Sequence, residues 1–237
     1  MKEQQIKTAI VTGSSRGLGK AIAIALAKEG YQLWLSARSQ KGLDELKSVL
    51  KDVSDKEHHF HSVDFSMAEP VKTYASKLYS EIEEIGVLVN NAGIYIPDAV
   101  TDQESLLDKH MQVNFQTSFD ITQAMLPRFV AQKSGHIFNV CSVVNKQPRE
   151  TAASYTISKF ALYGYHQLLV KSMKQYKVKV TAFLPSSINT SSWDGMEAPR
   201  NEFVQPEDIS HALLMALNTK PGTVITEIDL EAINPNF

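Results

Sequence analysis

The sequence predicts an α/β protein: a doubly wound, seven-stranded, mainly parallel sheet with helices on both faces. Three observations carry this. Short apolar runs alternate with longer helical patterns almost throughout the 237 residues, as in repeated strand–helix–strand units. The first run, Thr8-Ala9-Ile10-Val11-Thr12, is apolar enough to be covered on both faces, as strands of parallel sheets are. Gly13, Arg38, Asp64, Asn91, Ser142 and Pro185 all fall at strand carboxyl ends, the side on which open α/β sheets bind ligands.

Thr8–Thr12 leads into Gly13-Ser14-Ser15-Arg16-Gly17-Leu18-Gly19 and then a helical pattern of Ala21, Ile22, Ile24, Ala25 and Leu26. In such a turn glycine lets a pyrophosphate approach backbone amides, and the helix N-terminus favours the anion. The placement after the first strand points to nucleotide binding rather than a plain structural turn. Gln32–Ala37 is the second strand and ends at Arg38. An acidic residue there would hold a ribose diol; Arg38, with Arg16 in the glycine loop, suits the 2′-phosphate of NADP.

A helix is expected over residues 43–49 and a third strand over 58–63, ending at Asp64. His58, His59 and His61 fit a strand at a sheet edge better than a metal site, since no partnering ligands lie near, and no metal is expected. A helix over 69–85 precedes a strand at 87–89, which runs into Asn90-Asn91-Ala92-Gly93, small and amide residues suited to a cofactor crevice. A long helical segment spans about 106–132. Asn114 within it needs hydrogen-bond partners or a local break, and Pro127 is a second place for a bend.

The fifth strand covers 136–141, with Ser142 where it gives out. After a polar loop with Pro148 comes a helix carrying Tyr155 and, one turn later, Lys159. Residues four apart share a helix face, and a fixed cation beside a phenol favours the phenolate, so Tyr155 is a candidate general acid/base. Taken alone, Tyr-x-x-x-Lys also fits an ordinary exposed helix face. The sixth strand, 178–184, ends in Pro185-Ser186-Ser187-Ile188-Asn189-Thr190. The irregular stretch that follows, with Trp193, Gly195, Met196 and Pro199, is the expected substrate lid, at about 186–204 of a single domain covering 1–237. Pro206 opens the last helix, with Glu207 and Asp208 at its positive end, and 224–230 is the seventh strand.

A formal net charge of −2 argues against nucleic acid or an anionic membrane as the main partner. Cys141 is the only cysteine, which excludes an intrachain disulfide and suits a reducing compartment. The first residues lack a signal-peptide apolar region and no apolar run approaches a membrane span, so a cytoplasmic location is expected.

Together these residues resemble the short-chain dehydrogenases/reductases. The matching pieces are Thr12-Gly13-x-x-x-Gly17-x-Gly19, Asn90-Asn91-Ala92-Gly93, Asn114, Ser142 and Tyr155-x-x-x-Lys159, in family order and spacing, from Thr8 to about Leu230. The resemblance implies a Rossmann fold and a set of roles. Tyr155 would exchange a proton with the substrate oxygen, Lys159 would lower the phenol's pKa and bind the nicotinamide ribose, Ser142 would orient the substrate, and Asn114 would hold a relay water. Gly13, Ser15, Arg16, Gly17, Leu18 and Gly19 would hold the phosphates and adenosine, with Asp64 and Phe65 flanking the adenine. Asn91, Ala92 and Gly93 would line the ribose and nicotinamide, with Pro185, Ile188 and Thr190 beside the carboxamide. Arg16 and Arg38 are similar to those of NADPH-preferring members.

Two departures stand out. Ser186 replaces the family's usual glycine after Pro185, and the C-terminus lacks the glycine-rich strand of the 3-oxoacyl carrier-protein reductases. The leading expectation is an NADPH-dependent reductase of a small-molecule ketone or aldehyde, a homodimer or homotetramer by resemblance. A 3-oxoacyl-thioester reductase is the alternative; it would need a basic patch near the lid, to which Arg149 and Arg200 could contribute. A non-catalytic nucleotide-binding regulator is disfavoured because Asn114, Ser142, Tyr155 and Lys159 are all present.

Overall fold

The computed structural model describes residues 7–195 and 197–234. The first six residues, Met196 of the expected lid, and the last three residues lie outside the described residues. Seven strands form one sheet: β1 (Thr8–Thr12), β2 (Gln32–Ala37), β3 (His59–Ser62), β4 (Val87–Asn90), β5 (His136–Val140), β6 (Lys179–Pro185) and β7 (Glu227–Leu230). Their order is β3-β2-β1-β4-β5-β6-β7, and every neighbouring pair is parallel, so the sheet is wholly rather than mainly parallel. The order reverses between β1 and β4, which opens a crevice at their carboxyl ends.

Helices cover both faces because side chains alternate along each strand. Ala9 and Val11 of β1 point into a core shared with α1 (Gly17–Lys28), α2 (Gln40–Lys51) and α7 (Pro206–Leu217). Ile10, between them, joins the opposite core with α3 (Ala68–Glu81), α5 (Thr117–Gln132) and α6 (Ala153–Met173). Leu26, Leu35, Phe138, Phe183 and Phe129 are fully buried, each worth about 1.5–3 kcal/mol relative to exposure.

β3 is the sheet edge expected from its histidines, and packing accounts for them. The His59 ring stacks on Trp34 at 4.1 Å, His61 lies 5.5 Å from the same indole, and His58 Nδ1 accepts the Leu33 N–H.

The long helical segment is interrupted, but not at Pro127. A short α4 (Leu107–His110) passes into a π-helical turn, Met111–Gln116, before α5 begins. Pro127 lies inside continuous α5 on its exposed side, where water can serve the carbonyl that proline leaves unpaired. The wide turn falls at Asn114, whose side chain is bonded to another segment, and the Thr117 hydroxyl donates to the Gln112 carbonyl across it at 3.0 Å.

Candidate active site and cofactor cradle

Backbone geometry shapes the crevice. Gly13 and Gly17 take φ of +67° and +50°, left-handed values that side chains resist, and so swing the chain from β1 into α1. Arg16, at the N-cap of α1, gives that helix no side-chain cap, so its first amides lack the local partner a capping side chain would supply. A Cβ on Gly17 would touch the Thr190 methyl at 3.0 Å, which places the glycine turn against the loop after β6. A bare turn ahead of an uncapped helix fits a pyrophosphate.

The floor is braced across β1 and β4. The Thr12 hydroxyl accepts the N–H groups of Asn91 and Ala92, each at 3.0 Å. The Asn91 amide donates to the carbonyls of Thr12 at 2.8 Å and Gly13 at 3.1 Å. Asn91 thus holds the crevice open from below while Gly93 stays exposed beside Asn114 and Lys159. Ser15 packs against Gly42 at the start of α2.

At the adenosine end Arg16 and Arg38 are both exposed, and Leu18 and Phe65 are buried. The Asp64 carboxylate accepts the N–H and hydroxyl of Ser66. Those bonds, more than the nearby Arg38 charge, hold its pKa below the usual value. At the other end Pro185 is buried opposite Leu230, and Ile188 bridges to Val204.

The four catalytic candidates meet at the ends of β5 and α6. Lys159 is 4% exposed, and its ammonium donates to the Val140 carbonyl at 2.7 Å, two residues before Ser142. The same ammonium lies 5.7 Å from the centre of the Tyr155 ring, so the i, i+4 pair shares one face. Ser142 opens a short turn: its hydroxyl accepts the Val144 N–H while its own N–H donates to Asn145.

Asn114, fully buried, accepts the Ile94 N–H at 2.7 Å. It donates to the Ile94 carbonyl at 3.1 Å and to the Ser158 hydroxyl at 2.9 Å, and Ser158 donates in turn to the Tyr155 carbonyl. Asn114 therefore has both the partners and the helix break its position demands. Both of its N–H groups are taken by protein atoms.

The stretch after β6 is a closed loop. Ile188 and Val204 bridge its base, and Arg200 braces it internally through Asn189 Oδ1 (2.8 Å), Asp194 Oδ1 (2.8 Å) and the Thr190 carbonyl (2.9 Å). Arg200 is thus spent inside the loop and is not the free surface cation that a carrier-protein patch would need. Trp193 packs on buried Phe203 at 4.9 Å.

The sequence places Tyr95 and Asp98 only within a stretch, Ile94 to Ala99, expected with the Trp193 loop to set pocket specificity, and gives no role to His110; in the fold the Tyr95 ring meets Tyr155 edge-on at 5.2 Å, His110 is buried 6.3 Å from it, and Asp98 is buried at the start of α6. The only local signal was their place between the Asn90-Asn91-Ala92-Gly93 turn and Asn114.

A parallel sheet with a phosphate-sized glycine turn at its reversal point, and a tyrosine, lysine and serine gathered beside it, defines a dinucleotide-binding oxidoreductase. The comparisons make the class specific. The short chain dehydrogenase family model matches residues 7–201, and the chain belongs to that family. It is 28% identical over 234 residues to an uncharacterized oxidoreductase of Staphylococcus saprophyticus, covering 98% of this chain and 100% of that one. It is 29% identical over 236 residues to estradiol 17-beta-dehydrogenase 11 of Homo sapiens, covering 95% of this chain and 78% of that one. A metagenomic short-chain oxidoreductase solved in complex with NADP superposes with a TM-score of 0.82 at 27% identity, over 96% of this chain and 98% of that chain. The chain is accordingly an enzyme of the oxidoreductase class. Among the described residues no helix is long and apolar enough to cross a membrane.

Proposed function

We propose that the protein is an NADPH-dependent reductase of a small-molecule ketone or aldehyde, with Tyr155 as proton donor. The observation that carries the reading is the seating of Lys159 against the Val140 carbonyl, at the end of the strand that leads into Ser142, which holds its ammonium 5.7 Å from the Tyr155 ring. A bound NADPH supplies the hydride that a carbonyl carbon accepts. The protein's own residues do the rest. The Ser142 hydroxyl orients the carbonyl oxygen, Tyr155 gives it a proton, and the fixed cation of Lys159 stabilises the charge left on the phenol oxygen. Asn114 holds Ile94, the residue after Gly93, and Ser158, whose hydroxyl donates to the Tyr155 carbonyl.

The shape of the cradle supports the following cofactor contacts. Gly13, Ser15, Gly17, Leu18 and Gly19 hold the phosphates, and Asp64 and Phe65 the adenine. Asn91, Ala92 and Gly93 line the ribose, and Pro185, Ile188 and Thr190 the nicotinamide. The exposed Arg16 and Arg38 favour a 2′-phosphate, hence NADPH over NADH. The loop at 186–204 serves as the substrate lid of a single domain, in a cytoplasmic enzyme. Ile157, Phe160 and Leu168 form an exposed apolar stripe along α6, broken only by Gly164, which supports assembly with further copies of the chain. Of the two cations named for a carrier-protein patch, Arg149 is exposed but Arg200 is internally spent, so a carrier-protein thioester is the less supported substrate.

The test is Tyr155→Phe. NADPH binding followed by fluorescence stays within about threefold of wild type, while carbonyl reduction across a ketone and aldehyde panel falls by about 100- to 10,000-fold. Retained turnover in this variant removes Tyr155 from its role.

A further inference from the structure

We infer that Asp98 is a positioning residue for Tyr155, serving as the N-cap that the catalytic helix lacks in its own sequence. The inference rests on the reductase reading and adds a residue to it.

The first turn of any helix leaves amide groups without intrahelical partners, and a local Ser, Thr, Asn or Asp usually serves them. α6 has Ala152 at its N-cap and no local side-chain cap. The partner comes from more than fifty residues upstream. The Asp98 backbone carbonyl accepts the Ala153 N–H at 3.0 Å, and its Oδ1 accepts the Ser154 N–H at 3.0 Å. Its Oδ2 takes the Ser154 hydroxyl. Asp98 also bridges Ala152 in strand-like pairing and is only 8% exposed. A carboxylate at the positive end of a helix, accepting three donors' worth of contact through carbonyl and side chain, is stabilised where an unpaired one would be costly. Tyr155 is the next residue in the chain.

Asp98 is one end of a strap whose alternate residues are tied down. The Ile94 backbone exchanges hydrogen bonds with the Asn114 side chain. The Ile96 N–H donates to His110 Nε2 at 3.2 Å, and His110 Nδ1 donates to the Leu106 carbonyl at 3.0 Å, a pairing that sets the ring's tautomer and tilt. Tyr95, between these two anchors, presents its ring edge-on to Tyr155 at 5.2 Å, and the His110 ring meets it at 77°. The strap therefore fixes the phenol from two sides and the start of its helix from a third. Its effect is through the place of Tyr155, and misplacement of about 1 Å in such a group can cost about 100-fold in rate.

Asp98→Ala and Asp98→Asn separate the outcomes. Asparagine still accepts the Ser154 N–H, so its turnover number stays within about threefold of wild type; alanine lowers it by about 100-fold, with NADPH affinity unchanged in both. Hydrogen exchange of the amides at 153–155 accelerates at least about tenfold in Asp98→Ala and not in Asp98→Asn, as loss of a cap requires. Exchange needs no turnover, so it decides the capping whether or not the wild type reduces a carbonyl; failure of the reductase reading would show separately, as a wild type inactive on every carbonyl. If Asp98→Ala does not fold, Ser154→Ala, which removes the hydroxyl contact alone, lowers the turnover number severalfold without changing NADPH affinity. Wild-type turnover and exchange in Asp98→Ala, equal losses in the Ala and Asn variants, wild-type turnover in Ser154→Ala, or loss of NADPH binding in step with turnover would each overturn the inference.

Discussion

Gly19→Ala tests the cradle at its tightest point. A Cβ built on Gly19 lies 2.2 Å from the Gly13 carbonyl oxygen and 2.5 Å from the Asn91 amide nitrogen. Relief needs a movement of roughly 1 Å, since favourable heavy-atom contact begins near 3.5 Å. Neither neighbour can give freely. The Gly13 peptide is held by the turn at φ +67°, and the Asn91 amide is bonded to the Thr12 and Gly13 carbonyls. Overpacking of this kind costs about 1–3 kcal/mol, which at about 2–4 °C per kcal/mol lowers the melting midpoint by about 2–12 °C. The same movement carries the α1 amides off a bound phosphate. Losing one charge-assisted hydrogen bond, about 1.5–3 kcal/mol, weakens NADPH binding by about 10- to 100-fold. Fluorescence titration and a thermal melt read both quantities. Gly164→Ala is the contrast: an added Cβ in α6 meets nothing within 4 Å, so NADPH binding holds and the helix gains about 0.5–1 kcal/mol. Wild-type affinity and melting in Gly19→Ala would show that this turn does not hold the phosphates as described.

Arg38→Asp is expected to cut NADPH affinity by about 10- to 100-fold and shift preference toward NADH, read by paired fluorescence titrations; an unchanged ratio counts against the 2′-phosphate site. Leu168→Arg, in the apolar stripe of α6, is expected to sediment as a monomer at concentrations where the wild type is larger; a wild type that is itself monomeric refutes the assembly. Burial is the main cause holding His136 down to about 3 and His166 down to about 4. Both values lie below the unfolded one, so the stability each neutral ring contributes is complete above about pH 6.5 and is lost as pH falls toward them, on the order of 1 kcal/mol per pH unit for each. Melting midpoints should fall between pH 6.5 and 5, with a shallower slope in His136→Asn; a flat profile in the wild type would contradict the burial of both rings.

Local spacing made the shared face of Tyr155 and Lys159 and the glycine turn legible, since four residues make one helix face and a glycine run after a strand makes one turn, but Tyr-x-x-x-Lys took its catalytic meaning only from the company of the other family motifs. The strand series was legible for a similar reason, since wholly buried parallel strands are plain apolar runs. The interruption near Asn114 was half legible. An asparagine in an apolar helical pattern signals a conflict, but its resolution as a π-turn needs Ile94, twenty residues away, to hold the side chain. Proline at 127 carried the stronger local signal and proved harmless, because its exposed side lets solvent take up the orphaned carbonyl. Asp98 was opaque for the opposite reason. Its partner helix begins with Ala152-Ala153, which shows only that a cap is missing and not what supplies it.

The two departures from the family pattern, Ser186 and the C-terminal tail, read as unrelated in the sequence and are one feature in three dimensions. Glycine at 186 would offer only its backbone. Serine there donates its N–H to the Leu230 carbonyl at 2.9 Å, and its hydroxyl accepts the Ala232 N–H at 2.7 Å. The chain beyond β7 is thereby turned toward the loop after β6, where the Ile233 N–H meets the Glu202 carbonyl and the Asn234 amide meets the Glu202 carboxylate at 2.5 Å. A tail without a glycine-rich strand therefore does not leave the sheet edge loose. It is used to tie the end of β6, where Pro185 and Ile188 stand, to the far limb of the loop that Arg200 braces from within. The Ser186 hydroxyl accepts a backbone N–H of the same 231–234 stretch whose next residues reach Glu202, so the two departures belong together.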